Sequence, residues 1–321
     1  SADLARALDN GFGTEVEHGD FHRQPDSNID DALAALNQHF PQNQRFTADS
    51  ALASRQRAMS HAIDAAGHEA RLMAACPEDR ATMRSECEPG ARALWQAIPN
   101  RSLGLALEPA EFICEVRQRL CMADCAADRW CPLCDAVVDR KAHHPRTCAA
   151  GGDRVLRHNG LRNFIFRRAA AAGLHPELEK AGLLLPARPP TEHNRHAARR
   201  RPADVYLPTW TGGAPAAIDF AVTAPHKQGT LAQAAERALA AATEHSNRKR
   251  EHQNTEDQCR AAGVTFVPMV AETTGAWAPE AMDVLRQIAV ATAATSGRDA
   301  QDILKEILQG AAVCIRRANA R

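Results

Sequence analysis

The sequence predicts a mixed α+β (α/β) protein: a helical N-terminal region, a compact cysteine- and histidine-bearing knuckle, and a small mixed sheet flanked by helices. Aromatic residues make up only 4% of the 321 residues, and alanine, the strongest helix former, is abundant. Two short runs alternate apolar and polar residues on either side of a Gly-Gly turn, as strands do. The first sets Val205 and Leu207 against Asp204 and Tyr206; the second sets Ile218, Phe220 and Val222 against Asp219, Ala221 and Thr223. Between the helical start and these strands, Cys131, Cys134, His144 and Cys148 fall in one short stretch.

A chain of this length can bury a sizeable core and form two domains, or one domain with a helical extension. The formal net charge is zero, so total charge selects no partner and any nucleic-acid affinity must come from local patches. Ten cysteines without a secretory leader, several of them grouped with a histidine, point to a reducing compartment rather than a disulfide framework. No apolar run reaches the roughly 18 residues a spanning helix needs, which excludes such a helix. The chain opens at Ser1 rather than methionine, which suggests a fragment or processed piece.

Residues 1 to 45 are polar and punctuated by Gly11, Gly13, Pro25 and Pro41, with a short helix expected from Ile29 to Leu36 behind Asp26 or Ser27. A longer helix is expected from Thr47 to about Ala75, where Leu52, Met59, Ile63, Ala66, Ala70 and Met73 recur at near-helical spacing as a packing stripe. Residues 1–89 receive no functional role. A new unit, residues 90–150, starts at Gly90-Ala91-Arg92-Ala93-Leu94-Trp95. It contains an amphipathic helix from Glu111 to Leu120, with Phe112, Val116 and Leu120 on one side and Arg117 and Arg119 on the other.

That unit closes on the knuckle. Zinc prefers four soft or borderline ligands in a tetrahedron, and Cys131-x-x-Cys134 followed by His144-x-x-x-Cys148 supplies them at loop-closing distance. His143 can stand in for His144, and Cys121 or Cys125 can compete for a ligand position. Metal binding would staple a segment poor in apolar residues.

The third unit, residues 151–321, begins with a helix from Arg157 to Ala172, ended by Gly173. Glu179 follows as a candidate third acid. His193 to Arg201 is a basic loop, and its Arg195, Arg199, Arg200 and Arg201 suit a phosphate-bearing partner. With Thr211 and Gly212 at the centre of the hairpin, Asp204 falls opposite Asp219, with Cβ atoms about 4.5–5.5 Å apart. Carboxylates that close are shared by a divalent metal or by a proton. A long helix is expected from Leu231 to about Ala261, its apolar stripe of Leu231, Ala235, Ala238 and Ala242 ending in His245 and Lys249. Packed on the sheet, that stripe delivers its polar end beside the acids. A strand from Val264 to Val270 and a helical tail from Pro279 to about Arg316 complete the chain.

The order helix, acid-bearing hairpin, lysine-bearing helix, strand resembles the restriction-endonuclease-like nuclease core. Gly90 to Trp95, the Phe112 to Leu120 helix, the Cys/His cluster, Arg157-His158-Asn159, Arg201-Pro-Ala-Asp-Val205, Ala217-Ile-Asp-Phe-Ala-Val-Thr223 and Phe266-Val-Pro-Met-Val-Ala-Glu-Thr273 narrow it. Together, over residues 90 to 285, they resemble the C-terminal region of non-LTR retrotransposon reverse-transcriptase polyproteins that carry a zinc knuckle and a restriction-like endonuclease. The resemblance implies a nuclear, metal-dependent endonuclease that nicks target DNA within a larger polyprotein, with element RNA a further partner. It implies that Asp204 and Asp219 bind Mg²⁺ or Mn²⁺, that Lys249 is the displaced catalytic lysine, and that Cys131, Cys134, His144 and Cys148 form the zinc knuckle. Two positions depart from the family pattern: Ala203 is inserted between proline and aspartate, and Ala221 stands where the wider superfamily often has lysine. Tyr206 is the only tyrosine and Asp30-Asp31 lacks the polymerase context, so the chain is not expected to copy RNA. The alternatives are a decayed nuclease that keeps its zinc-stapled nucleic-acid binding, and an interaction protein that docks through its helices.

Overall fold

The computed structural model describes residues 25–38, 40–53, 56–150, 152–184 and 202–320; Arg195, Arg199, Arg200 and Arg201 lie outside them. Contacts divide the chain into two compact units, residues 1–71 and 72–321. The boundaries expected at 89/90 and 150/151 do not separate compact units, because residues 72–150 belong to the same body as the sheet.

In the first unit, α1 (Pro25–Asn37) and α2 (Ala48–Ala53) are joined through Asn37, whose side chain both donates to and accepts from the Phe46 backbone at 2.9 and 2.8 Å. Helix α3 (Gln56–Ala74) crosses into the second unit. Its expected stripe fails at the C-terminal end: Met73 is 72% exposed and its neighbour Leu72 is buried instead.

The second unit opens with α4 (Pro77–Glu86), α5 (Pro89–Gln96) and α6 (Pro109–Arg119). A side chain on Gly90 would place its Cβ 2.4 Å from the Gly275 carbonyl oxygen, so glycine is required for α5 to approach the turn after the last strand. Helix α6 starts with a reciprocal capping box between Glu108 and Glu111. Its orientation corrects the expected one. Phe112 and Leu120 are exposed, and the buried residues are Glu115 and Gln118, because Glu115 meets buried arginines from distant parts of the chain.

The knuckle follows as a two-stranded ribbon, β1 (Arg129–Trp130) and β2 (Val137–Val138), and a short helix α7 (His143–Thr147). Helix α8 (Asp153–Ala171) ends at Gly173 in the left-handed region, φ 73°. The main sheet has the order β3 (Glu177–Leu178), β4 (Val205–Leu207), β5 (Ala216–Thr223), β6 (Thr265–Glu272). The first two pairings are antiparallel and β5 runs parallel to β6. Pro268, which cannot donate to a ladder, lies on the edge strand β6.

One face of the sheet packs Val205, Leu207, Ile218 and Phe220 against α8 and the C-terminal helices in the main core. A second cluster joins Ala217, Ala203 and Phe266 to Cys259. Thus β5 is covered on both sides, which makes Asp219 an acid in a largely apolar strand.

The helix expected from Leu231 to Ala261 is three: α9 (Leu231–Glu236), α10 (Ala240–Glu251) and α11 (Thr255–Ala261). Arg237 is extended and Leu239 left-handed at φ 62°, a costly conformation for leucine. Contacts at the break offset that cost. Arg84 donates to the Ala235 carbonyl at 2.8 Å, and the Ala242 N–H reaches Glu272 at 3.3 Å. Gln253 and Asn254, both at positive φ, separate α10 from α11. The expected tail is likewise two helices, α12 (Pro279–Ser296) and α13 (Ala300–Asn319). Gly297 at φ 69° ends the first, and Asp299 caps the second by accepting from Gln301 and Asp302. No helix among the described residues is long and apolar enough to cross a membrane.

Candidate functional site

Two centres lie in the second unit. In the first, the ligand atoms of Cys131, Cys134, His144 and Cys148 all fall within 4.8 Å of one another. Cys134 Sγ is 3.3 Å from His144 Nε2 and 3.8 Å from Cys148 Sγ. The edges of a tetrahedron built on Zn–S and Zn–N bonds are about 3.5–3.8 Å, so this donor set can hold a metal ion such as zinc. The Leu133 N–H, donated to Cys131 Sγ at 3.5 Å, is the largest influence holding that thiol down to about 6. A thiol ionised near neutrality suits metal ligation.

The open choices in the sequence are resolved by position. Asp139 accepts the N–H groups of both His143 and His144, at 2.9 and 3.0 Å, and so caps α7. His144 then joins the cluster, while the His143 ring stacks on His226 with centroids 4.3 Å apart. Cys121 lies outside the cluster, its sulfur against the Asp79 carbonyl and its thiol pushed up to about 12, chiefly by burial. Cys125 is also outside it.

The second centre is at the hairpin. Val205 pairs with Ile218, Tyr206 with Ala217 and Leu207 with Ala216, and one further step in this register sets Asp204 opposite Asp219. Lys249 on α10 donates to Asp219 Oδ2 at 2.5 Å. Burial, with the neighbouring Asp204 charge, pushes Asp219 up to about 6 against the pull of Lys249. Asp204 moves the other way: burial acts to raise it, but the His158 hydrogen bond and the Phe220 N–H outweigh that and hold it below the usual carboxylate value. His158 Nε2 lies 3.2 Å from Asp204 Oδ1, and the Phe220 N–H reaches Oδ2 at 2.7 Å. Burial and the neighbouring charge thus raise Asp219, while in Asp204 burial is outweighed by the hydrogen bonds to its two oxygens.

Asp219 and Lys249 open into a cleft of ≈ 470 Å³ with Pro202, His245, Arg248 and His252 in its walls. A larger cleft, ≈ 890 Å³, shares no lining residue with either centre. Glu179 is at the margin. Its N–H donates to the Asp204 carbonyl at 2.9 Å, which extends the β3–β4 pairing, while its carboxylate pairs with Arg162 at 2.9 Å. His158 is the residue whose role the sequence reading missed. Its one signal was the Arg157-His158-Asn159 triplet, one helical turn inside α8.

Buried charges tie the centres to the fold. The Arg146 side chain, between His144 and Cys148 in the chain, is 3% exposed and reaches Glu115 at 3.3 Å. Glu115 also pairs with Arg316 at 2.7 Å, and Arg316 with Glu86 at 2.6 Å. Arg157 donates to the Arg146 carbonyl at 2.9 Å. Successive residues of α8 thus grip the knuckle (Arg157) and Asp204 (His158).

Comparison of the chain with protein-family models, curated proteins and solved structures returns no match.

Proposed function

We propose that the second unit is a divalent-metal-dependent DNA endonuclease, the target-nicking portion of a nuclear retrotransposon polyprotein, with DNA as substrate and element RNA as a further partner. The observation that supports this reading above the others is that Asp219, set opposite Asp204 by the hairpin register, meets Lys249 of α10 at the wall of a cleft. Asp204 and Asp219 are the residues to hold Mg²⁺ or Mn²⁺: hard carboxylate oxygens set side by side, where the ion would share Asp219 with Lys249. When bound, such an ion supplies Lewis-acid charge neutralisation and an acidified water.

The chain's own groups do the rest. His158 and the Phe220 N–H fix both oxygens of Asp204 and keep it ionised. Lys249 brings a cation to the carboxylates, where it can orient the attacking water or stabilise charge on the phosphate as the P–O bond breaks. Hydrolysis adds water across one phosphodiester bond and leaves a phosphate monoester and a hydroxyl. The Cys/His cluster fits a structural role, because its helix α7 carries Arg146 into the buried charge network.

Nicking of supercoiled plasmid with Mg²⁺ or Mn²⁺ tests this. Asp219→Ala is expected to lower the rate on the order of 10²-fold or more, the loss of several kcal/mol of transition-state stabilisation. Equal nicking by parent and variant overturns the assignment.

A further inference from the structure

The larger cleft of the second unit, ≈ 890 Å³, takes no part in either centre. Helices α8 and α13 supply two of its walls, and the loop 97–108 between α5 and α6 supplies the third. On α13 the lining runs from Lys305 to Arg317, a distance of about 18 Å along a helix. The walls are tied together. Gln309 donates to the Gln96 carbonyl at 3.0 Å, and Arg317 donates to the Gly104 and Ala106 carbonyls at 3.1 and 2.7 Å. The cleft is therefore preformed, as binding sites usually are.

Its lining joins apolar surface to unpaired positive charge. Ile98 is 80% exposed and Leu103 70% exposed, yet both belong to the pinned loop. Leu105 and Phe164 continue the apolar surface. A Cβ on Gly310 would lie 2.7 Å from Phe164 Cε2, so glycine lets α13 close against that ring. Arg167 and Arg168 of α8 also line the cleft, and among the described residues neither has a carboxylate at ion-pair distance. Arg168 instead lies over the Phe164 ring, 5.3 Å from its centroid. Lys305 has only an exposed i,i+3 pair with Asp302 at 3.7 Å, which contributes little. The one acid in the lining, Glu306, is held by two nitrogens of Arg298, which is not in the lining. An apolar patch rimmed by polar groups marks an interaction surface.

The shape and chemistry select the occupant. A concave cleft is not filled by a flat membrane surface. Its only aromatic ring, Phe164, already stacks with Arg168 and abuts Gly310, which disfavours a nucleobase. No sheet strand lines it, so an extended peptide would gain no ladder. We infer that the cleft is a docking groove for an acidic amphipathic helix of a partner protein, about three turns long. Its apolar residues seat on Ile98, Leu103, Leu105 and Phe164, and its flanking carboxylates face Arg167, Arg168 and Lys305. The inference is independent of the nuclease reading.

Fluorescence anisotropy of a labelled synthetic peptide of about 14 residues, with leucines on one helical face and glutamates flanking them, tests it on the zinc-loaded full chain. The parent is expected to bind with Kd below about 100 μM. A scrambled peptide of the same composition, and one with lysine in place of each glutamate, should bind at least about tenfold more weakly. Arg167→Gln with Arg168→Gln is expected to weaken binding about fivefold, and Arg167→Lys with Arg168→Lys to keep most of it. Ile98→Ser with Leu103→Ser is expected to weaken it about tenfold. Arg167, Ile98 and Leu103 are exposed and Arg168 is half-buried, so the variants should keep the parental Tm and zinc content. No saturation up to about 1 mM peptide, equal binding of the scrambled peptide, or parental affinity in the glutamine or serine variant overturns the inference. So does the same pattern of variant losses for a single-stranded oligonucleotide or for phosphatidylserine vesicles, with no binding of the peptide. The groove shares no lining residue with the cleft at Asp219, so a parent that never nicks plasmid leaves this inference standing, and a parent that nicks does not rescue it.

Discussion

Replacing Arg316 by methionine removes the cation at which two buried acids meet. Its guanidinium is fully buried and reaches Glu86 at 2.6 Å, Glu115 at 2.7 Å and the Thr274 carbonyl at 3.0 Å. A buried ion pair is not stabilising in itself, because desolvation nearly cancels attraction, but deleting one partner strands the other and costs about 3–5 kcal/mol. Both acids keep a second arginine, Arg119 on Glu86 at 2.9 Å and Arg146 on Glu115 at 3.3 Å, so the low end applies, about 3 kcal/mol. For a unit of this size each kcal/mol lowers Tm by roughly 2–4 °C, which gives a fall of roughly 6–12 °C. Thermal and urea melts at neutral pH read it. Adding Glu86→Gln to Arg316→Met neutralises one stranded acid, whose other partner Arg119 is part-exposed, and is expected to recover part of the loss. A single variant within about 1 kcal/mol of the parent would refute the charge-balancing role.

Other expectations follow from the same geometry. Glu272 is fully buried, accepts from Ser85 and the Ala242 N–H, and is pushed up to about 7, chiefly by burial. The folded state therefore holds the proton more tightly than the unfolded one, whose value is 4.5, and stability falls as pH rises through this window, by on the order of 3 kcal/mol. Glu272→Gln should flatten that dependence and melt higher than the parent at pH about 8, read by melts across pH; a parent with no slope between the two values counts against it. Cys134→Ser, or a strong chelator, should remove one zinc per chain by metal analysis and lower Tm, since bound metal contributes to folding free energy; unchanged zinc content argues against the cluster. Lys249→Met should lower nicking on the order of 10²–10³-fold while tightening Mn²⁺ binding, because it removes the ammonium that competes for Asp219. Unchanged nicking would dismiss the lysine.

The carboxylate site was legible where local rules govern it. The alternation in both strands and the Gly-Gly turn between them point to one register, so Asp204 could be set against Asp219 from spacing. Lys249 followed from a helical stripe that α10 does keep from Ala242 onward. What escaped depends on distant partners. The break at Leu239 carries no glycine or proline and is held by Arg84 and Glu272, residues 151 and 30 positions from their contacts. Glu115 reads as the polar side of α6 until Arg316, 201 residues away, is placed beside it. His158 is visible only once α8 lies against the start of β4, 46 residues on. The turn at Gly297 and Asp299, by contrast, carried a glycine stop and an aspartate cap that could have been read.

Whether Asp204 and Asp219 share one divalent cation is answered most directly by titrating zinc-loaded protein with Mn²⁺ and following free Mn²⁺ by electron paramagnetic resonance. The parent is expected to bind Mn²⁺ at one site that the variant with Asp204→Asn and Asp219→Asn lacks, with zinc content equal in both. Identical Mn²⁺ binding by the two proteins would contradict a metal-dependent nuclease centred on this pair.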